Sequence, residues 1–204
     1  TLKDSRSLMT ITYSQGKDVP LPWKYFRTGT AIKDDGEWEL AMTVNIDKSV
    51  DSYYDAKKLF RLANYCCLNH ADNSAALKTL KKGIDNMLKQ ICYDPVWKGF
   101  IPFESGQFQT HAYSDLHFHY GYVIYACAVY LRFKGENMED LVKSVMRLVD
   151  TILFTDITKD NRGPASRFID EKQGHSTAHG LTPKAEGMSQ ESTSEAVNAW
   201  YAVF

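Results

Sequence analysis

The chain has 204 residues, enough for one sizeable core, and its 24 lysines and arginines almost balance 25 aspartates and glutamates, for a net charge of -1. With no basic stripe, the composition excludes a nucleic-acid or anionic-lipid binder driven by charge, and no apolar run reaches the ~18 residues that a membrane-spanning helix needs. The 12 tyrosines, 10 phenylalanines and 4 tryptophans supply flat faces suited to stacking on sugar rings, although most of them belong in a core.

In chain order, residues 1–50 read as a small β-rich segment. Thr10 to Tyr13 is β-prone, and Ala31-Ile32-Lys33, Asp34-Asp35-Gly36 and Trp38 to Ile46 form the pattern of a hairpin around a D-G turn. From Asp51 the period becomes helical. Tyr53, Ala56, Phe60, Ala63 and Cys67 recur on one face, and after a break at Asn69 to Asn73 so do Ala76, Leu80, Ile84, Met87 and Ile91. These two helices make a first hairpin. Residues 93–116, which hold Tyr93-Asp94-Pro95-Val96-Trp97-Lys98-Gly99, read as an irregular connection. An almost purely apolar helix is predicted from about His117 to Phe133. It is followed by a turn at Lys134-Gly135 and an amphipathic helix with Leu141, Val145, Leu148, Val149 and Ile152 on one face. This is a second hairpin. The stretch from Asp156 to Ser189 is rich in Gly, Ser, Pro and His, a loop length that is usually functional, and a last helix begins near Gln190.

A helix that is hydrophobic on every side must be covered on every side, so the run after His117 is a buried one. Its mouth is polar: Tyr113-Ser114-Asp115-Leu116-His117-Phe118-His119-Tyr120-Gly121-Tyr122 packs an acid, two histidines and three tyrosines beside unpaired first-turn N–H groups. Asp115 fits there equally as a helix cap. Hairpins that cannot bury their faces alone stack into a solenoid or closed toroid, with the first helix of every hairpin pointing the same way. The helices after Asp115 and after Ser189 are both first helices. Their mouths therefore open at one end, which brings residues 111–122 near residues 189–195. In this second cluster Glu191, Glu195, Asn198 and Ala202 form a stripe, while Val197, Trp200 and Phe204 are expected to pack. Ser192-x-x-Glu195 also matches a capping box, which leaves Glu195 open to a structural role.

Cys66, Cys67, Cys92 and Cys127 show neither metal-finger nor disulfide-framework spacing, and Cys127 reads as a small buried hydrophobe. His175-x-x-x-His179 has the i, i+4 spacing of a zinc-binding helix, the basis of an alternative reading as a zinc hydrolase. No H-E-x-x-H is present, however, and Gly174 and Gly180 flank the pair, so neither metal nor cofactor is expected.

Three blocks, D-L-H-F-H-Y-G-Y at Asp115 to Tyr122, G-H-S-T-A-H-G at Gly174 to Gly180 and Q-E-S-T-S-E-A-V-N-A-W-Y at Gln190 to Tyr201, resemble signatures of glycoside hydrolase family 81, the endo-β-1,3-glucanases. Tyr93-Asp94-x-x-Trp97-x-Gly99 and Arg167-Phe168-x-Asp170 fall in order with them, so the likeness covers residues 93–201, with a weaker echo at Asp51 to Arg61. The resemblance implies a mainly α fold, with residues 51–204 forming the first part of an (α/α)6 toroid, and inverting hydrolysis of a laminarin-like, cell-wall or storage β-1,3-glucan. By position Asp115 corresponds to the general acid, and Glu191 and Glu195 to the pair that supplies the base. Asp170 and His175 fall in a block that lines the substrate groove, and Trp97, Tyr113, His117, His119 and Tyr122 are further substrate-binding candidates. A secreted or cell-surface protein is compatible with the family. This chain departs from it at Ser114, Leu116 and Thr177, where the family usually has Asn, His and Trp, and the last departure bears on one sugar-stacking or groove-lining contact.

The chemistry needs one protonated carboxyl and one ionised carboxylate. Asp115 beside Phe118, Tyr120 and Tyr122 is suited to staying neutral by desolvation, and Glu191 and Glu195 form a negative pair. Helices one hairpin apart have axes ~8–10 Å apart, which favours the wide carboxyl gap of an inverting enzyme. A glucan-binding protein without turnover is the alternative that keeps the same groove. The chain begins at Thr1 without Met and ends inside a helical pattern, as a fragment does, and two and a half hairpins need the rest of their own catalytic domain to close a toroid. Residues 1–204 alone are therefore expected to release little reducing sugar from laminarin and to self-associate through uncovered apolar faces. Full activity from a well-behaved monomer of these residues would overturn the partial-toroid reading.

Overall fold

The computed structural model describes residues 51–68, 74–103, 108–134, 138–153, 168–170, 175–182, 184–185, 187 and 189–204. The β-rich segment expected over 1–50 lies outside them, as does the break at 69–73. The described chain is mainly helical: α1 (Tyr54–Leu68), α2 (Ser74–Lys89), α3 (Leu116–Lys134), α4 (Glu139–Leu153) and α5 (Thr193–Val203). Two antiparallel ribbons accompany them, β1 (Ile91–Asp94) with β2 (Gly99–Pro102), and β3 (Ile169–Asp170) with β4 (His175–Ser176).

The centre of the structure is α3. Every residue from Leu116 to Cys127 is buried, because α1, α2, α4 and α5 all pack against this one helix. Its most extensive contacts are with α5 and then α1, the other first helices, while α2 and α4 cover it from outside. The apolar helix expected from the sequence is thus covered as its composition requires. On α4 the buried face is Leu141, Val145, Leu148 and Ile152, each contributing about 1.5–3 kcal/mol by leaving water. The helix is anchored in its first turn by Glu139 and Asp140, acids that suit the positive end of the helix dipole. Among the described residues no helix is long and apolar enough to cross a membrane.

Three expectations change. On α1 the fully buried positions are Ala56, Leu59, Leu62, Ala63 and Cys66, which turns the face away from Tyr53, Phe60 and Cys67, all only partly buried. Residues 91–102 are a β-hairpin and not an irregular connection: Ile91 pairs with Pro102 and Asp94 with Gly99. The turn is made by Asp94 Oδ1, which accepts the Val96 N–H at 2.9 Å, and by Lys98 in the left-handed region (φ 59°). Four-residue strands of mixed composition leave too short a period to be recognised. The hairpin is held from outside, with the Phe100 N–H donating to Thr151 Oγ1 of α4 at 3.1 Å and the Tyr120 hydroxyl of α3 donating to the Phe100 carbonyl at 2.7 Å. Finally, the packed face of α5 is Ala196 and Ala199 with Trp200, whereas Val197 and Phe204 are 60% and 82% exposed. All four cysteines are free, and Cys127 is buried as expected.

Gly121 sets how closely α3 and α5 approach. A Cβ there would lie 2.5 Å from the Ala199 Cα and 2.8 Å from its Cβ, atoms of a helix backbone that cannot swing aside. Gly121→Ala is therefore expected to push the two helices apart at a cost of about 1–3 kcal/mol, read as a lowered denaturation midpoint. An unchanged midpoint would show that the contact is not tight.

Candidate active site

Two irregular segments laced together build the site. Just before α3 the chain turns through Tyr113 (φ 64°) and Asp115 (φ 56°), both left-handed. Residues 175–182 run alongside: the Asp115 N–H donates to the Ala178 carbonyl at 2.7 Å, the Leu181 N–H to the Ala112 carbonyl at 2.7 Å, and the Ser114 hydroxyl to the His179 carbonyl at 3.0 Å. Gly180 is the close approach here (φ 54°), since a Cβ would meet the backbone of Tyr113 at 2.3 Å. The same strip reaches the other segment, with the Ala178 N–H donating to the Ser189 carbonyl at 2.9 Å. Asp115 and Glu191 are brought together by this backbone lacing.

Asp115 does not cap α3 with its side chain. Its backbone is left-handed where a cap is usually extended, and its Oδ1 is buried with no hydrogen-bond partner among the described residues. Burial pushes this carboxyl up to about 7, helped by the negative charges of Glu191 and Glu195 and by hydrogen bonding with Glu191, with Lys184 opposing. Glu191 is exposed and sits ahead of α5 with φ 60°, so it does not share a helical stripe with Glu195.

Glu195, in the first turn of α5, has a different environment. Ser192 is the N-cap, in extended conformation, but makes no side-chain capping bond, so the capping box is not formed. Instead Glu195 Oε1 accepts the hydroxyls of Tyr53 at 2.8 Å and Tyr122 at 2.7 Å, with Lys57 Nζ 3.7 Å away. Burial on its own would raise this carboxyl. The hydrogen bonds from Tyr122, Tyr53 and Ser192, together with Lys57, outweigh it and hold Glu195 below the ordinary range. Two carboxyl groups at one mouth are thus pushed in opposite directions.

The remaining expected site residues divide by burial. Tyr113 is completely buried, its hydroxyl donating to Asp94 Oδ2 at 3.0 Å, so it supports the loop from within and offers no surface to a ligand. His117 is also fully buried, with its ring 3.9 Å from Phe118, 5.1 Å from Phe168 and 5.7 Å from Trp200, and neither ring nitrogen has a partner among the described residues. These two positions pack where substrate contact was expected. His119 is 1% exposed, its Nδ1 2.9 Å from Ser52 Oγ and its Nε2 without a partner among the described residues, beside the rings of Tyr53 and Phe108. Tyr122 is buried except for its bond to Glu195. Trp97 is 46% exposed at the tip of the β1–β2 hairpin, His175 is half-buried in β4, and Asp170 pairs with it through the backbone of β3. Residues 175–182 are a short strand and turns, so His175 and His179 do not share a helical face. His179 Nε2 instead lies 3.0 Å from Ser189 Oγ. Ser114, Leu116 and Thr177, where departures from the family pattern were expected, are all buried. Sequence reasoning missed Tyr53 and Lys57 as site residues, because their partner lies 142 residues away from Tyr53.

One end of the helical hairpins thus gathers a protonatable acid and two further carboxyl groups. The chain belongs to glycosyl hydrolase family 81: the model of that family's C-terminal domain matches residues 27–204. It is similar to a glucan endo-1,3-beta-D-glucosidase of Acetivibrio thermocellus, 30% identical over 81% of this chain and 23% of the relative, and to one of Arthroderma benhamiae, 30% identical over 85% and 21%. A primary septum glucan endo-1,3-beta-D-glucosidase of Schizosaccharomyces pombe is 27% identical over 81% of this chain and 18% of the relative. The chain spans about a fifth of the length of these curated relatives.

The buried titratable groups make stability depend on pH with two signs. Burial pushes His117 down to about 3, with His119 adding to the fall, and pushes His119 itself down to about 4. Their contribution is complete above the unfolded value of about 6.5 and is lost as pH falls through the folded values. Asp115 works the other way, because the folded state holds its proton up to about 7 and stability declines as pH rises from about 4. Asp115→Asn is therefore expected to raise the melting temperature at pH 8 and leave it nearly unchanged at pH 4, and His117→Leu to flatten the loss below pH 6. Shifts that do not depend on pH would refute these assignments.

Proposed function

We propose that this chain carries the acid/base machinery of an endo-β-1,3-glucanase, and that its hairpins are the first part of an (α/α)6 toroid whose inner helices include α1, α3 and α5. Membership of the family and the names of the relatives support the substrate class. One observation carries the mechanism: Asp115 is partly buried with its Oδ1 unpartnered among the described residues, which favours its proton, while Glu195 at the same mouth accepts two hydroxyls beside Lys57, which favours ionisation. Glycoside hydrolysis needs that division of labour.

In this reading Asp115 donates its proton to the glycosidic oxygen as the bond to the anomeric carbon breaks. Glu195 takes a proton from the water that attacks that carbon from the opposite face. The leaving sugar departs neutral, Asp115 is left ionised, and proton exchange with solvent restores both groups. Glu191 acts on Asp115, since its charge is the largest contribution after burial to keeping the acid protonated. Attack by water without a covalent intermediate inverts the anomeric centre, so a β-1,3 bond yields an α-anomer. Trp97 and His175 are the more open of the expected residues and the substrate-contact candidates, whereas His119 and Tyr122 are buried behind Glu195.

The protein expressed from its full reading frame is the material for the test. Reducing-sugar release from laminarin, with binding measured in parallel, separates turnover from binding alone. Asp115→Asn is expected to lower kcat by about 10²–10⁴ while binding persists. Glu195→Gln is expected to lose a similar factor and to be rescued by azide. Glu191→Gln is expected to keep turnover but pull the alkaline limb of the pH profile to lower pH, because the Glu191 charge helps to hold the Asp115 proton. Azide rescue of Glu191→Gln alone would exchange the two glutamates' roles, and a β-anomer appearing first by proton NMR would replace inversion with a covalent intermediate.

A further inference from the structure

The side chains around Glu195 come from three elements. From α1 come Tyr53, just ahead of the helix, and Lys57 one turn on. From α3 and its approach come Asp115, His117, His119 and Tyr122, and Ser192 lies in the turn before α5. His117 and His119 are kept neutral by burial, which leaves Lys57 as the cation in this set.

Proton inventory fixes the direction of the hydrogen bonds. An ammonium has donors only, and Lys57 Nζ lies 3.0 Å from the Tyr53 hydroxyl, so that hydroxyl must accept from Lys57. Its single proton is then free for Glu195 Oε1, 2.8 Å away. Tyr122 gives a second proton to the same oxygen at 2.7 Å. An oxygen that accepts two hydroxyls is best served by the ionised carboxylate. The Lys57 ammonium also lies over the rings of Tyr53, at 4.6 Å, and Tyr122, at 5.8 Å, which fixes all three side chains relative to one another. Both tyrosines act on Oε1, and the Ser192 hydroxyl adds a further hydrogen bond to the same carboxylate.

We propose that Tyr53 and Lys57 are positioning residues for the reaction: with Tyr122 they clamp Glu195, keep it charged and aimed, and thereby set the lower pH limit of turnover. The inference rests on the reading of Glu195 as the base. Neither residue touches the reacting atoms. Tyr53 carries the larger part, because Lys57 is partly open to solvent, with 37% of its side chain exposed, and water screens its charge.

Two measurements on the full-length protein test the clamp. In kcat/KM against pH on laminarin, Tyr53→Phe is expected to move the acidic limb up by about half a pH unit or more. Lys57→Met is expected to move it less, and Lys57→Arg to restore it, while circular dichroism shows all three folded. The second measurement follows the carboxyl carbon of Glu195 by NMR in protein labelled with ¹³C-glutamate, the signal being the one missing in Glu195→Gln. Its titration is expected to shift upward in Tyr53→Phe. A carboxyl that titrates at the same pH with and without the Tyr53 hydroxyl overturns the clamp whatever the enzyme kinetics. A shifted carboxyl with an unmoved acidic limb supports the clamp and locates the fault in the base assignment. Full turnover by Glu195→Gln removes that assignment and, with it, the proposed pH limit.

Discussion

A helix without a polar face has to be surrounded, and that requirement on α3 organises the rest of the structure. Its neighbours α1, α2, α4 and α5 cover it, and Gly121 lets the Ala199 backbone of α5 come close. Covering a helix from four sides leaves its ends as the place where polar chemistry can gather. Asp115 lies at that end, and Glu195 meets it because α5 is seated on α3 at the Gly121–Ala199 contact.

The electrostatic contrast at the mouth follows from the same packing. Asp115 sits on a left-handed turn laced to residues 175–182, where its Oδ1 is buried with no partner among the described residues, and burial therefore favours the proton. Glu195 is also partly buried, yet it faces two hydroxyl donors and an ammonium that reward ionisation. Both residues feel desolvation. What separates them is the partners within reach, and those partners come from α1 and α3. The site is thus assembled from four stretches of chain distant in sequence, none of which has the arrangement alone.

The hydrogen-bonded lacing around residues 112–115 and 175–182 fixes Ser114, Leu116 and Thr177 behind the mouth. Ser114 holds the His179 carbonyl, Thr177 donates its N–H to the Phe168 carbonyl, and Leu116 begins the apolar helix. These positions shape the mouth from behind. The histidines follow the same logic: His117 is packed among Phe118, Phe168 and Trp200 as an uncharged ring.

Much of this was legible in the sequence. The period of apolar residues marked α1 to α4 to within a few positions, because burying one face of a helix imposes a repeat that a single stretch of chain reveals. The uniform apolarity after His117 required a central helix, and the common direction of first helices required Asp115 and Glu195 to share one end. Other features depended on which distant atoms meet. The hairpin at 91–102 is held by Thr151 and Tyr120 from other elements. The packed side of α5 was decided by the close approach at Gly121, which selects Ala196 and Ala199 over the larger Val197 and Phe204. Tyr53 and Lys57 read as part of an ordinary helix until α1 is laid beside α5. Periodicity is a local record of burial, whereas charge state and hydrogen-bond partnership belong to contacts between elements, and only the tertiary structure decides those.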